Sequence, residues 1–193
     1  MPILFSKVRV VPSTDFGSGG MPFECHAPHP GFALVGLQLR VGDWIDQVTP
    51  VFAELDEDGG VGPELFGSSH GGYGGHLRQL RVAPGCVATG LQTRSGSFID
   101  GVRLLQARWD GTSLGESAWT EWVTGASIGG VERPERIVEP YGRSVIVGIA
   151  GRAMGYVDNL TVVCAELSRI SSTAITAQTS RGHRSASSAH ATG

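Results

Sequence analysis

Three aspartates at matched positions carry the clearest chemical signal in the sequence. Each closes a pattern that begins with glycine, has arginine four residues later and places an aromatic residue two positions before the acid. The acids are Asp46, Asp100 and Asp158, and the aromatic residues are Trp44, Phe98 and Tyr156. A carboxylate can accept two charge-assisted hydrogen bonds from adjacent hydroxyl groups, and an aromatic ring can pack on an apolar surface. These repeated groups are therefore the candidate ligand-binding residues.

The pattern belongs to a threefold internal repeat. Its copies span residues 36–46, 90–100 and 148–158, so they begin 54 and 58 residues apart. The match continues beyond the aspartate, with aliphatic residues at positions 48, 102 and 160 and alanine at positions 53, 107 and 165. Such self-similarity indicates one supersecondary unit that occurs three times and packs around a shared core.

Turns rich in glycine and proline precede each copy. The chain holds 29 glycines in 193 residues, about twice the average usage of roughly 7%. Six of them form the pairs Gly19–Gly20, Gly74–Gly75 and Gly129–Gly130, and turns with Pro30, Pro84 and Pro140 follow. We therefore predict an all-β chain of three antiparallel units, each of three to four strands, around a pseudo-threefold axis. Glycines inside strands predict bulges or close backbone approach.

These motifs resemble those of jacalin-related lectins. Residues 42–46, Gly-Asp-Trp-Ile-Asp, and 96–100, Gly-Ser-Phe-Ile-Asp, resemble the G-x-x-x-D loop of that family. Residues 145–158 resemble its last repeat, and residues 71–75 resemble its glycine loop. The resemblance covers residues 17–167 and implies a β-prism of three four-stranded sheets. The pattern also resembles the prism of vitelline membrane outer-layer proteins, in which a sugar site is less secure.

The resemblance implies up to three shallow sugar sites, in which each aspartate faces the glycine loop of the next repeat. Asp46 then pairs with Gly74–Gly75, Asp100 with Gly129–Gly130, and Asp158 with Gly19–Gly20. The candidate carbohydrate-binding residues are Gly20, Gly42, Asp43, Trp44, Asp46, Gly74, Gly75, Gly96, Ser97, Phe98, Asp100, Gly130, Tyr156 and Asp158. We rank Asp46 first and Asp100 second. Asp158 is third, because Met154 replaces the motif glycine of its repeat.

Structural roles stay open for the same residues. An aspartate at a hairpin end can hydrogen-bond the backbone of its own turn, and its repetition then reflects duplication of a stable turn. The repeated arginines, Arg40, Arg94 and Arg152, are expected to form salt bridges with neighbouring acids or to cover the sheet with their aliphatic stems. Contact between these arginines and a ligand is the weaker hypothesis.

The sequence gives no support to several other chemistries. It has neither a G-x-S-x-G nor an H-E-x-x-H motif, so no enzyme activity is predicted. Its histidines and cysteines lack the paired spacing of a zinc site, His70 and His76 are expected to be polar loop residues, and no metal or other cofactor is predicted. Three cysteines, an odd number, predict free thiols. A net charge of −3 gives no footprint for nucleic acid.

Composition divides the chain into two parts. Residues 1–167 are predicted to form the prism, with repeats at about 17–58, 71–112 and 126–167. Residues 168–193 are rich in Ser, Ala and Thr and are predicted to form a flexible tail. We find no signal-peptide pattern and no run of 18 apolar residues, so no membrane partner is expected. Localisation stays open between the cytoplasm, non-classical release and a particle.

Two functions of different classes follow from these observations. The first is a multivalent lectin that binds glycans, with the choice between mannose and galactose types left open. The second is a structural or interaction module of a larger assembly, such as a surface or virion component. In that case the prism has no sugar site, and the tail holds an assembly partner or builds a homo-oligomer.

Overall fold

Strands dominate the computed structural model, which describes residues 3–12, 17–126, 135–138 and 143–169. Within these ranges the chain forms 14 strands in three antiparallel sheets. The prediction of an all-β chain built from three antiparallel sheets is therefore confirmed. No helix in these ranges is long and apolar enough to cross a membrane.

The strands follow one another along the chain in this order. They are β1 (Ile3–Val10), β2 (Met21–His26), β3 (Phe32–Val41), β4 (Ile45–Leu55), β5 (Val61–Phe66), β6 (His70–Gly71), β7 (His76–Arg81), β8 (Cys86–Ser95), β9 (Ile99–Trp109), β10 (Leu114–Trp119), β11 (Val123–Thr124), β12 (Glu135–Val138), β13 (Ser144–Ala153) and β14 (Val157–Arg169). The first sheet has the order β5-β4-β3-β7 with β6 beside β4, and the second has β10-β9-β8-β12 with β11 beside β9. The third sheet has the order β1-β14-β13-β2.

The strand after each glycine loop joins a sheet whose hairpin belongs to another repeat. β7 pairs with β3, β12 with β8, and β2 with β13. The proline-containing turn then carries the chain into the next sheet. A sheet therefore combines the hairpin of one repeat with a strand of the next, which corrects the expectation that each repeat forms its own unit. Two sheets also exceed four strands, because β6 and β11 add short pairings at their sides.

Each repeat has a bulge directly before its strand glycine. The strand register shifts at Val35, Thr89 and Val147, which precede Gly36, Gly90 and Gly148. The bulges predicted at the strand glycines are therefore confirmed. The backbone also comes close at Gly36, because a Cβ atom there would lie 2.5 Å from the carbonyl oxygen of Leu80.

The inner faces of the three sheets form one hydrophobic core. Large side chains from every sheet are completely buried in it, among them Phe52, Leu91 and Ile149. Each such side chain stabilises the fold by roughly 1.5–3 kcal/mol. Cys25 and Cys164 are buried as well, and all three cysteines are free thiols, as predicted. This core holds the hairpins in fixed positions around the axis.

Candidate functional site

Three hairpin tips, one in each repeat, are closed in the same way. We call Gly42–Trp44 the first tip, Gly96–Phe98 the second and Met154–Tyr156 the third. In each of them the N–H of the first residue donates to the carbonyl oxygen of the third, at 3.0 Å. Met154 makes the same bond as Gly42 and Gly96. The absence of a glycine at position 154, which was the reason for ranking Asp158 last, therefore does not change the closure of the third tip. The sequence motif therefore encodes a three-residue turn that places an aspartate just after it.

The aspartate after the first tip lies against a glycine loop of the following repeat. The Gly72 N–H donates to the backbone carbonyl of Asp46 at 2.8 Å. A Cβ atom at Gly74 would lie 2.7 Å from Asp46 Oδ1, and one at Gly42 would lie 3.0 Å from Oδ2. The carboxylate is thus enclosed between the tip and the loop, at a separation that only glycine permits.

The aspartate after the third tip has the same surroundings. A Cβ atom at Gly20 would lie 2.6 Å from Asp158 Oδ2 and 2.7 Å from the carbonyl carbon of Ala153. Gly19 also approaches this carboxylate, and Gly17 approaches the backbone carbonyl of the same residue. Residues 17–20 and 72–75 share the pattern Gly-x-Gly-Gly. This shared pattern indicates that each loop begins two residues before its glycine pair.

The second aspartate has only part of its surroundings described. The Gly125 N–H donates to the backbone carbonyl of Asp100 at 2.8 Å, as Gly72 does at the first site. The predicted partners Gly129 and Gly130 lie outside the described residues, so Gly130 stays a prediction. Asp100 is completely buried, whereas Asp46 and Asp158 keep 6% and 5% exposure.

One carboxylate oxygen of the first site has an unmet hydrogen-bonding need. Asp46 Oδ2 is buried and accepts no hydrogen bond from the described residues. Leaving a buried polar group unsatisfied costs roughly 1–3 kcal/mol, and more for a charged group. The alternative in which this aspartate serves its own turn does not account for Oδ2. Oδ2 is therefore a hydrogen-bond acceptor that the described residues leave unsatisfied.

The aromatic residues of the three tips meet on the axis. The ring of Trp44 lies 5.3 Å from that of Phe98 and 5.1 Å from that of Tyr156, and the last two are 4.9 Å apart. All three rings are partly exposed. Each ring therefore offers a ligand only the surface that its two neighbours leave open. We call this group the aromatic cluster.

The repeated arginines have two kinds of partner. Arg94 forms the predicted salt bridge, at 2.8 Å to Glu135. Arg40 and Arg152 instead donate from their guanidinium groups to backbone carbonyls of a glycine loop. Sequence reasoning missed these contacts, since each joins an arginine to a glycine pair in a different repeat. The expectation that their aliphatic stems cover the sheet stays a prediction.

Solved structures of jacalin-related lectins share this architecture. The Malaysian banana lectin matches with a TM-score of 0.57 at 18% identity, over 82% of this chain and 98% of the lectin. AcmJRL, a mannose-binding jacalin-related lectin from Ananas comosus, matches with 0.56 at 14% identity, over 81% and 96%. Artocarpin in complex with mannotriose matches with 0.58 at 12% identity, over 82% and 98%. The fold is the jacalin-type β-prism.

The likeness to these lectins is one of backbone architecture. The sequence itself matches no protein-family model and no curated protein. The resemblance inferred from the G-x-x-x-D motifs is confirmed for the fold, since the similar structures are jacalin-related lectins. A jacalin-type prism thus forms here from a sequence that shares at most 18% of its residues with the three structures compared.

One histidine near the first glycine loop departs from its expected role. His70 stacks on Phe23 with the ring centroids 4.1 Å apart and the planes only 10° from parallel. Burial lowers the pKa of His70 below its usual value of 6.5. The prediction of a polar loop residue is therefore wrong for His70, because the residue lies in strand β6 and its ring stacks on Phe23 of another sheet.

The carboxyl of the third site makes stability depend on pH. Burial raises the pKa of Asp158 above its ordinary 3.8, and the positive charge of Arg152 offsets only part of the effect. The folded protein therefore holds this proton to a higher pH than the unfolded chain does, so stability falls as the pH rises through that window. Asp158→Asn is expected to raise the free energy of unfolding at pH 7.

Urea denaturation at pH 4 and pH 7 measures this effect. The gain from Asp158→Asn is expected at pH 7 and should shrink as the pH falls toward 4, because the wild-type carboxyl takes up a proton more readily when folded. Asp58→Asn is the matched control, because it makes the same charge change at an exposed turn. A variant that is less stable than the wild type at pH 7 would contradict the predicted direction.

Proposed function

We propose that this protein is a lectin that binds sugars at the ends of its hairpin tips. The observation that supports this best is the buried Oδ2 atom of Asp46, which lies beside a loop of glycines and receives no hydrogen bond from the part of the chain that the structure describes. The proposal also draws on the similar prisms, of which one is described as mannose-binding and another is in complex with mannotriose. The sugar is therefore proposed to be of the mannose type.

A sugar meets the needs of this site through two neighbouring hydroxyl groups. Each hydroxyl donates to one oxygen of Asp46, and both bonds are strengthened by the carboxylate charge. Rotation of the carboxylate about its last side-chain bond is soft, so either oxygen can turn toward the ligand. The remaining amide N–H groups of the tip and of residues 73–75 donate to the sugar oxygens. The same chemistry applies at Asp158.

Weak single sites become useful when several act together. A shallow site for one sugar binds with a Kd of about 1 mM, or roughly −4 kcal/mol. Linked sites on one prism raise the avidity for a branched glycan by roughly 10² to 10⁴ without new contacts. The clustering of the tips around the axis places the sites close together, which suits a branched ligand.

Titration of the ¹⁵N-labelled chain with methyl α-mannopyranoside tests the proposal. We expect amide shifts at the first and third tips and a loss of about tenfold in affinity at the first site for Asp46→Asn, since a hydrogen bond to a charged group contributes roughly 1.5–3 kcal/mol. Asp58→Asn removes an equal charge far from the tips and is expected to change nothing. Methyl β-galactopyranoside tests the other sugar type. If the wild type binds neither methyl α-mannopyranoside nor methyl β-galactopyranoside, the proposal is overturned.

The structural or assembly module predicted as the alternative stays a prediction. Its motivation was the tail from residue 168, and the chain beyond Arg169 lies outside the described residues. The division into a prism of residues 1–167 and a tail of residues 168–193 also stays a prediction.

A further inference from the structure

Two arginines donate hydrogen bonds to the backbone of the glycine loops that face the aspartates. Arg40 donates from Nε to the Gly74 carbonyl at 2.8 Å and from Nη2 to the Gly75 carbonyl at 3.3 Å. Arg152 donates from the same two nitrogens to Gly19 at 2.7 Å and to Gly20 at 2.8 Å. The same edge of the guanidinium thus holds two successive carbonyls at both sites.

This contact requires an unusual backbone, which the sequence supplies. Successive carbonyls of an extended strand point to opposite sides. Gly75 and Gly20 have φ angles of +63° and +62°, so two consecutive peptide groups can turn the same way. Because a trans peptide directs its N–H opposite to its C=O, holding the Gly74 carbonyl also fixes the direction of the Gly75 N–H.

The second repeat provides an internal comparison. Arg94 occupies the matching position, but its Nε and Nη2 atoms both donate to Glu135 Oε1, at 3.0 and 2.8 Å. Its guanidinium also lies 4.1 Å from the ring centre of Trp122. The Nε and Nη2 atoms of Arg94 therefore bind a carboxylate, whereas the same atoms bind the carbonyl groups of a glycine loop at the other two sites. Arginine at this position is thus compatible with the fold in either arrangement.

We propose that Arg40 and Arg152 are positioning residues for ligand binding at the first and third sites. Each holds its glycine loop against the aspartate, so that the loop N–H donors are oriented before the sugar arrives. This inference rests on the proposed sugar-binding function. It adds that affinity depends on two side chains that do not touch the ligand, because a loop ordered in advance loses less conformational freedom on binding.

Arg40→Lys tests the positioning role most directly. Lysine keeps the charge and the aliphatic stem, but its ammonium is a point charge that cannot hold two carbonyls in a fixed fork. We expect about tenfold weaker binding at the first site, the size that follows from freeing about one backbone residue. Arg152→Lys is expected to weaken the third site alone, and Arg94→Lys is the matched control that leaves both unchanged.

Amide signals at each tip, recorded during titration of the full chain with methyl α-mannopyranoside, measure each site separately. The unaltered site in the same molecule is the internal reference, since a general loss of stability would weaken both. Hydrogen exchange of the Gly75 amide without sugar is expected to speed up in Arg40→Lys and to stay the same in Arg94→Lys.

The outcomes separate this inference from the function on which it rests. A wild type that binds neither mannoside nor galactoside overturns the proposed function and the positioning role with it. A wild type that binds, together with an Arg40→Lys variant of equal affinity at the first site, overturns the positioning role alone. Equal weakening of both sites by Arg40→Lys also overturns it, because the effect would then be one of stability.

Discussion

Gly75→Ala is expected to destabilise the prism by about 3 kcal/mol and to remove sugar binding at the first site. Gly75 has a φ of +63°, where a side chain costs roughly 1–2 kcal/mol. A Cβ atom there would also lie 2.6 Å from the Gly42 nitrogen and 2.6 Å from the Val41 carbonyl oxygen. These are backbone atoms of the neighbouring hairpin, so the loop itself must move away from Asp46.

Two other glycines separate the causes of this effect. Gly85 has a φ of +75°, but no atom of the described residues lies within 4 Å of its Cβ position, so Gly85→Ala reports the backbone strain alone, about 1 kcal/mol. Gly155 has open space and no positive φ, and Gly155→Ala is expected to stay within about 0.5 kcal/mol of the wild type. Chemical denaturation of the three variants measures these differences. Equal losses for Gly75→Ala and Gly85→Ala would contradict the predicted clash.

Trp44→Ala is expected to cost about 2–3 kcal/mol of stability and to loosen all three tips. Removing a large aromatic side chain from a packed site costs roughly 3–5 kcal/mol when it is fully buried, and Trp44 is partly exposed. Its ring touches those of Phe98 and Tyr156. The loss therefore spreads beyond the first tip, and binding at the third site is expected to weaken as well.

A double-mutant cycle measures this coupling directly. Trp44→Ala, Tyr156→Ala and the double variant are compared by urea denaturation, with a coupling energy of about 0.5–1.5 kcal/mol expected for an aromatic pair. Trp119, which stacks on Arg103 outside the aromatic cluster, provides the control pair with Trp44. Additive losses for Trp44 and Tyr156 would show that the rings do not support one another.

The sequence predicts those features of the prism that depend on local backbone requirements. The bulges before Gly36, Gly90 and Gly148 and the closed turns of the three tips recur because each repeat keeps the strand glycine, the aromatic residue and the aspartate at matched positions. Because the same residue types recur at matched positions in three repeats, the sequence alone shows where the backbone needs a particular conformation. The three-sheet architecture follows, since three like units bury one core.

The contacts that the arginines and the aromatic rings make between repeats were not predicted from the sequence. Arg152 grips glycines that lie 133 residues away along the chain, and Trp44 meets two rings from other repeats. Neither contact has a spacing pattern, because its geometry is set by how the sheets face one another. His70 was misjudged for the same reason, since its partner Phe23 belongs to another sheet.

The third sheet joins strands that lie far apart along the chain, and this sets the order in which the tips and loops can come together during synthesis. Strands β1 and β2 have no hairpin of their own and pair with β13 and β14, which are made after the other described strands. The first site needs only residues up to Arg81, whereas the third combines the loop at residues 17–20 with the hairpin of β13 and β14. Such long-range pairing makes folding slow. Strands β1 and β2 therefore stay without their partners in this sheet until β14 has been made, so the third site forms after the first.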